Sequence, residues 1–472
     1  MAEKHYNLLK AASWYTLGNI LIRGVSFLTL PIFTHLMSTH EYGIYSVYTS
    51  YLSIIQVVVL MGLSASIAVA YHAKEVEFES YVSTILLIPL GLAAGCMGIV
   101  NLWIPNFGNL LSMNVVFWNC LFVSAGAEAV SGILGARLVF EGRYKLYMAY
   151  SALRTVGNAA LSLLLCYTLF RDHDMYFALV YGSTIAIVVG MTFLLLATKT
   201  KLIFQRNNLK YGFLWGVPLL FHTVATVVLT QSDRILIRYM DSYSSAGIYA
   251  IATTFASIPL MLQQSLNQAW IPWFYGKLND REYDQSRWLN NRYIAMYGAI
   301  IAAYILISPE VIHLLTAESY WAAVYSLAPL LIGIWGEALY SMVGNIEYYY
   351  QKTKYIMLGT MITAGFNILL DILFINFYGY VGAAYATALS KFFLVFMHRY
   401  YARKCDSNEV FCNSIVSGVF LALCLGYFIV VMTLEYVLFR YILLSGILLF
   451  LGRYIVKNKM KIVLGLKEGV TK

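Results

Sequence analysis

Charge is scarce in this chain. Only 12% of its 472 residues are Asp, Glu, Lys or Arg, 60% are apolar, and the mean hydropathy is +0.69. Soluble domains carry about 25% charged residues, so the shortage excludes a water-soluble fold of this length. Proline is also rare, with 8 residues, and there is no Gly/Ser tract, which leaves no candidate for a flexible linker. The six cysteines, Cys96, Cys120, Cys166, Cys405, Cys412 and Cys424, are scattered, with no CxxC pair and no His at ligand spacing. Neither a disulfide framework nor a metal site is expected. No Walker A phosphate loop and no polar segment long enough for a nucleotide domain or an extramembrane active site occurs, so neither ATP use, nor catalysis, nor a cofactor is expected.

What the chain has instead is apolar runs. A helix needs about 20 mainly apolar residues to cross a bilayer. Such runs lie near 13–35, 43–71, 81–104, 113–138, 146–170, 175–199, 211–238, 246–274, 289–308, 320–346, 355–376, 380–398, 411–434 and 436–452. The expectation is an all-α polytopic membrane protein with about fourteen transmembrane helices. The polar start MAEKHYNLLK and the full-length first run lack a small-x-small cleavage signal, so the first span is expected to stay.

The basic residues are unevenly placed. Lys10, Lys74, Arg137, Arg143, Lys199, Lys210, Arg287, Lys354, Arg403 and the tail from Arg453 fall on one side of the expected spans, whereas the opposite loops hold only Arg171, Arg238 and Arg440. This asymmetry predicts both termini in the cytoplasm. It also accounts for the net charge of +9 without a nucleic-acid partner.

The chain repeats itself. EYGIYSVYTSYLSI from Glu41 resembles SAGIYAIATTFASI from Ser245, and at an offset of 209 residues Glu128 aligns with Glu337, Gly135 with Gly344, Lys145 with Lys354 and Asn158 with Asn367. Two six-helix bundles follow, 1–205 and 206–405, with 406–472 adding two transmembrane helices and a basic tail. An even number of spans per half makes the repeats parallel, which in transporters puts the substrate site between the halves.

Polar stripes cross the apolar spans. Ser151, Arg154, Asn158 and Ser162 share one helix face, and the same offset gives Thr360, Thr363, Asn367 and Asp371. A polar stripe facing lipid is costly, so a shared cavity is the sharper reading and interhelical hydrogen bonding the plainer one. Arg23, with Asn19 a turn away, Arg154, Arg234 and Lys391 lie at depth and would offer donors suited to phosphate or carboxylate oxygens. The alternative for each is a structural ion pair with an acid on a neighbouring helix, for example Glu128 or Asp371. Glu128, Glu337, Asp371, Asp233 and His222 are candidates for ion coupling or structural pairing. In VLTQSDRILIRYM, from Val228 to Met240, Arg238 is expected to anchor at the outer interface and Asp233 to pair with another helix.

The segments LGNILIRGVSFLTLPIFTHLMSTHEYGIYSVYTSYLSI, SDRILIRYMDSYSSAGIYAIATTFASI and FYGYVGAAYATALSKF resemble the bacterial polysaccharide flippases of the multidrug/oligosaccharidyl-lipid/polysaccharide exporter superfamily, over nearly the whole chain. The resemblance implies two six-helix bundles around a cationic cavity, in the cytoplasmic (inner) membrane. The substrate it implies is an undecaprenyl-pyrophosphate-linked oligosaccharide, an O-antigen, capsule or exopolysaccharide repeat unit, flipped from the inner to the outer leaflet. A polymerase and other polysaccharide-assembly membrane proteins are the implied partners beyond the substrate and the lipid bilayer. The competing readings are a flippase for another lipid-linked precursor, a cation-coupled multidrug exporter of the same superfamily, and a membrane-embedded glycosyltransferase or polymerase.

Overall fold

The computed structural model describes residues 24–25, 27–73, 76–111, 114–171 and 174–464, and no strand occurs among them. The helices are α1 (Phe27–Leu36), α2 (Thr39–Leu60), α3 (Leu63–His72), α4 (Phe78–Leu111), α5 (Val115–Phe140), α6 (Tyr144–Thr168), α7 (Met175–Thr198) and α8 (Arg206–Met240). They continue with α9 (Tyr243–Asn279), α10 (Tyr283–Leu315), α11 (Val324–Tyr349), α12 (Thr353–Tyr378), α13 (Tyr380–Cys405), α14 (Asn413–Met432) and α15 (Val437–Leu464).

Among the described residues, ten helical segments are long and apolar enough to cross a membrane, and the two arms of α8 make an eleventh if counted as one span. This is a multi-pass membrane protein. Of the fourteen expected spans, the first is described only in its second half, as the short helix α1. The others not among the eleven are α6 and α15, helices of 25 and 28 residues. In α6 the polar stripe itself dilutes the apolar content.

Local chemistry sets the helix ends. Ser38 caps α2 in a capping box with Glu41, satisfying two donors that a helix start leaves unpaired. The Glu41 carboxylate also accepts from the Met175 backbone N–H at 2.9 Å, which ties α7 to the same corner. The expected span 43–71 is two helices, because Met61 and Gly62 adopt left-handed backbone at φ 49° and 70°. A Cβ on Gly62 would stand 2.2 Å from the Gly216 carbonyl oxygen, so glycine permits both the turn and the approach of α8. The arms of α8, Arg206–Val217 and Leu220–Met240, meet at 50°.

Contacts divide the chain into two compact units, Met1–Gly247 and Ile248–Lys472. In the first, α8 packs on α2, α3 and α4, although the sequence repeat begins its second copy there. Leu63, Ile67, Tyr81, Ile85, Val130 and Leu134 form a core that water does not reach. Buried Tyr48 meets the Ser124 hydroxyl at 3.1 Å, and Ser124 meets Thr184 at 2.9 Å, fastening α2, α5 and α7. The repeat-equivalent glycines Gly43 and Gly247 also touch, and a Cβ on Gly247 would lie 3.2 Å from the Gly43 Cα.

The second unit is built around α11, whose Trp335 is fully buried and donates its indole N–H to the Ile294 carbonyl at 3.2 Å. Pro259 cannot donate to the Phe255 carbonyl one turn earlier, and the Tyr304 hydroxyl does so instead, at 3.2 Å.

Candidate functional site

Glu128 lies mid-way along α5 among small residues, Ala125, Ala127 and Ala129, that bring neighbouring helices close. Its carboxylate accepts from the Arg154 guanidinium of α6 in an ion pair. The acid is 10% exposed and the arginine 39%, so the pair sits at the margin of the packed interior with the guanidinium outward. One turn on, the Ser162 hydroxyl donates to Asn158 Oδ1 at 3.2 Å. A Cβ on Gly182 would stand 2.3 Å from the Ser162 hydroxyl, so this end of the stripe is the crossing point of α6 and α7.

The equivalent stripe on α12 is enclosed. Thr360, Thr363, Asn367 and Asp371 are at most 4% exposed, and Thr360 and Thr363 donate back to the Ile356 and Gly359 carbonyls at 2.8 Å. The two stripes match in sequence and differ in surroundings.

Glu337, the repeat partner of Glu128, also holds a cation. Lys391 Nζ of α13 donates to Glu337 Oε2 at 2.7 Å, with side-chain exposures of 16% and 23%. Arg154 and Lys391 are not repeat equivalents, so the acids are duplicated and the cations are not. Removing one member of such a pair strands a charge and costs about 3–5 kcal/mol when both are buried.

A second pair links the same two helices and carries no signal in the repeat. His398 of α13 meets both Glu347 carboxylate oxygens at 3.0 Å, and neither side chain is exposed. Sequence reasoning missed it because Glu347 lies two residues from the end of α11 and His398 beside Arg399, positions that pass for interface.

On α8, His222 is half-buried and Asp233 is 4% exposed. Arg234 donates to Gln231 Oε1 at 3.3 Å, and the Ser50 hydroxyl of α2 donates to the same atom at 3.2 Å. The Arg238 guanidinium carbon lies 3.9 Å from the centre of the Tyr239 ring, an arrangement suited to a membrane interface. Arg440, expected in an outer loop, is instead in the first turn of α15, 1% exposed, and pairs with Glu310 at 2.5 Å. Arg23 and Asn19 lie outside the described residues.

Chemically, the described core offers two repeat-equivalent carboxylates, Glu128 and Glu337, that each hold a cation, and a guanidinium with N–H donors beyond the one given to Glu128. Such donors suit oxyanions.

The model of the polysaccharide biosynthesis protein family matches residues 8–276, more than half of the chain. A membrane protein of Haemophilus influenzae, described as uncharacterized, is 26% identical over 411 residues, covering 80% of this chain and 94% of that protein. Among solved structures, the lipid II flippase MurJ in an inward closed conformation is similar with a TM-score of 0.72 at 14% identity, over 95% of this chain and 99% of that one. An inward-facing multidrug resistance MATE family transporter of the MOP superfamily is similar with a TM-score of 0.66 at 13% identity, over 84% and 97%. At these identities the structural likeness establishes the fold.

Proposed function

The chain belongs to the polysaccharide biosynthesis protein family, and on that premise we propose that it flips undecaprenyl-pyrophosphate-linked oligosaccharide repeat units from the inner to the outer leaflet of the bacterial cytoplasmic membrane. It works by alternating access, as a transporter and not an enzyme. The observation that carries this reading is Arg154, a guanidinium held by Glu128 within an apolar helix bundle yet 39% exposed. A pyrophosphate group is the anion for which forked donors are suited.

The Glu128–Arg154 pair also suggests how substrate and ion are linked. An anion that binds Arg154 competes with the Glu128 carboxylate, and proton uptake by Glu128 removes that competition. Glu337 and Lys391 offer the same logic in the second repeat. Arg23, Asn19, Asn158 and Arg234 complete the proposed substrate-facing set, with Asp371, Asp233 and His222 as ion-coupling or structural residues. The organisation proposed is two six-helix bundles, 1–205 and 206–405, with the pair in 406–472 appended and both termini cytoplasmic. A polymerase and other polysaccharide-assembly membrane proteins are the proposed partners.

The test is Arg154→Ala at matched expression. Export of surface polysaccharide is expected to be lost while the protein still inserts, and normal export removes the anion-binding role of Arg154.

A further inference from the structure

Four side-chain amides occur within six residues of α9: Gln263, Gln264, Asn267 and Gln268. Spacings of three and four stack them in two adjoining columns. The inner column is locked to α11, where Gln263 Nε2 donates to the Ser341 hydroxyl at 2.9 Å and Asn345 Nδ2 donates to Asn267 Oδ1 at 3.0 Å. These two bonds share one offset in chain position, so α9 and α11 run parallel here and hold a fixed register. The outer column, Gln264 and Gln268, is exposed and makes no hydrogen bond to another described side chain. Between the helices is a cavity of about 280 Å³, lined also by Glu337, Tyr340 and Tyr348.

A proline follows the amides one turn on. Pro272 has no N–H for the Gln268 carbonyl one turn earlier, which therefore lacks its helical donor. At Pro259 the equivalent gap is filled by Tyr304. The groove thus carries amides that both donate and accept, one carboxylate already neutralised by Lys391, and two phenol rings.

Amides side by side match vicinal hydroxyls or an N-acetyl group, and ring faces cover the C–H face of a pyranose. An anion would want concentrated positive charge, and a free cation would compete with Lys391 for Glu337. The volume is near the lower end of ordinary ligand sites, about 300 Å³. We propose that this α9/α11 groove binds neutral polyhydroxylated carbohydrate, the glycan part of the transported molecule. The inference rests on the flippase reading for why a sugar would be present, and deepens it by separating a sugar subsite from the arginine that holds the anion.

The experiment uses the full chain in nanodiscs, with N,N′-diacetylchitobiose and maltose as neutral probes, farnesyl pyrophosphate as a sugar-free anionic probe and sodium as a cation probe. Wild type is expected to bind at least one of the two disaccharides. The variant carrying Gln264→Leu and Gln268→Leu is expected to lose about tenfold or more of that affinity, because two buried-on-binding polar contacts go, while farnesyl pyrophosphate binds unchanged. Sugar affinity equal to wild type in the double variant, no disaccharide binding by wild type, or sodium binding that the same substitutions abolish overturns the proposal. Failure of wild type to bind farnesyl pyrophosphate counts against the flippase reading and leaves the groove standing. If the double variant does not fold, Gln264→Ser, at an exposed position, is read against the same outcomes.

Discussion

Lys391 donates to Glu337 at 2.7 Å, reaching from α13 to the very acid that the sequence repeat derives from Glu128. Glu128 takes its cation from α6 instead. The repeat therefore conserves where negative charge enters the bundle and leaves each half to neutralise it from a different helix. Glu337→Gln is expected to lower the thermal midpoint in nanodiscs, with a loss near the lower end of about 3–5 kcal/mol because the pair is not fully enclosed. The charge swap Glu337→Lys with Lys391→Glu is expected to recover part of it. Equal midpoints for wild type and Glu337→Gln would show that the pair does not stabilise the fold.

Arg137 is a second junction. It is 5% exposed and its guanidinium reaches Glu79 at the start of α4, Glu141 beyond the end of α5, both at 2.5 Å, and the Thr200 hydroxyl at 3.2 Å. Because Glu79 is 62% exposed, solvent weakens that arm. Arg137→Ala is expected to destabilise the first unit by roughly 2 kcal/mol, less than a fully buried pair would. Thermal unfolding of the purified protein measures this.

Acid should loosen the α13–α14 connection. Burial pushes the Glu409 carboxyl up, but hydrogen bonds from Arg399 and Arg403 outweigh it and hold the group below its ordinary value. Asp406 is also held low, its burial outweighed by hydrogen bonds from Asn408 and Tyr350. A carboxyl depressed in the folded state contributes stability above its unfolded value, about 4.3 for Glu, and loses it as the pH falls through the folded value. Stability is expected to drop below that range, and Glu409→Gln to flatten the drop. Unfolding midpoints measured across acidic pH for both proteins check it.

Orientation is testable by labelling. In a cysteine-free background, an impermeant reagent added outside is expected to modify a cysteine placed at Ser38 or Asn376, and to spare one at Asn207. All three positions are exposed helix ends or caps. The reverse pattern would invert the topology.

Helices, the repeat and the equivalence of Glu128 and Glu337 were legible in the sequence because each depends on spacing or on similarity between segments. What was not legible depends on packing across helices. Arg154 and Glu128 lie 26 residues apart; depth in the apolar spans makes Glu128 a candidate partner for an arginine, but no local pattern says which arginine it takes. The α12 stripe reads like the α6 stripe, yet it is enclosed because its neighbours cover it. Arg440 falls at the edge of the expected run 436–452, and its partner Glu310, 130 residues earlier on α10, is what the sequence does not mark. The amides from Gln263 to Gln268 did leave a signal, four amides in six residues between Pro259 and Pro272 of α9. Counting charges alone passes over it, since amides are neutral.

The most direct test is depletion of this protein in its own cell, followed by analysis of lipid-linked sugars on each leaflet of the cytoplasmic membrane. Undecaprenyl-pyrophosphate-linked oligosaccharide is expected to accumulate on the cytoplasmic leaflet, and wild type is expected to relieve this while Arg154→Ala does not. Unchanged distribution of that lipid across the leaflets after depletion would contradict it.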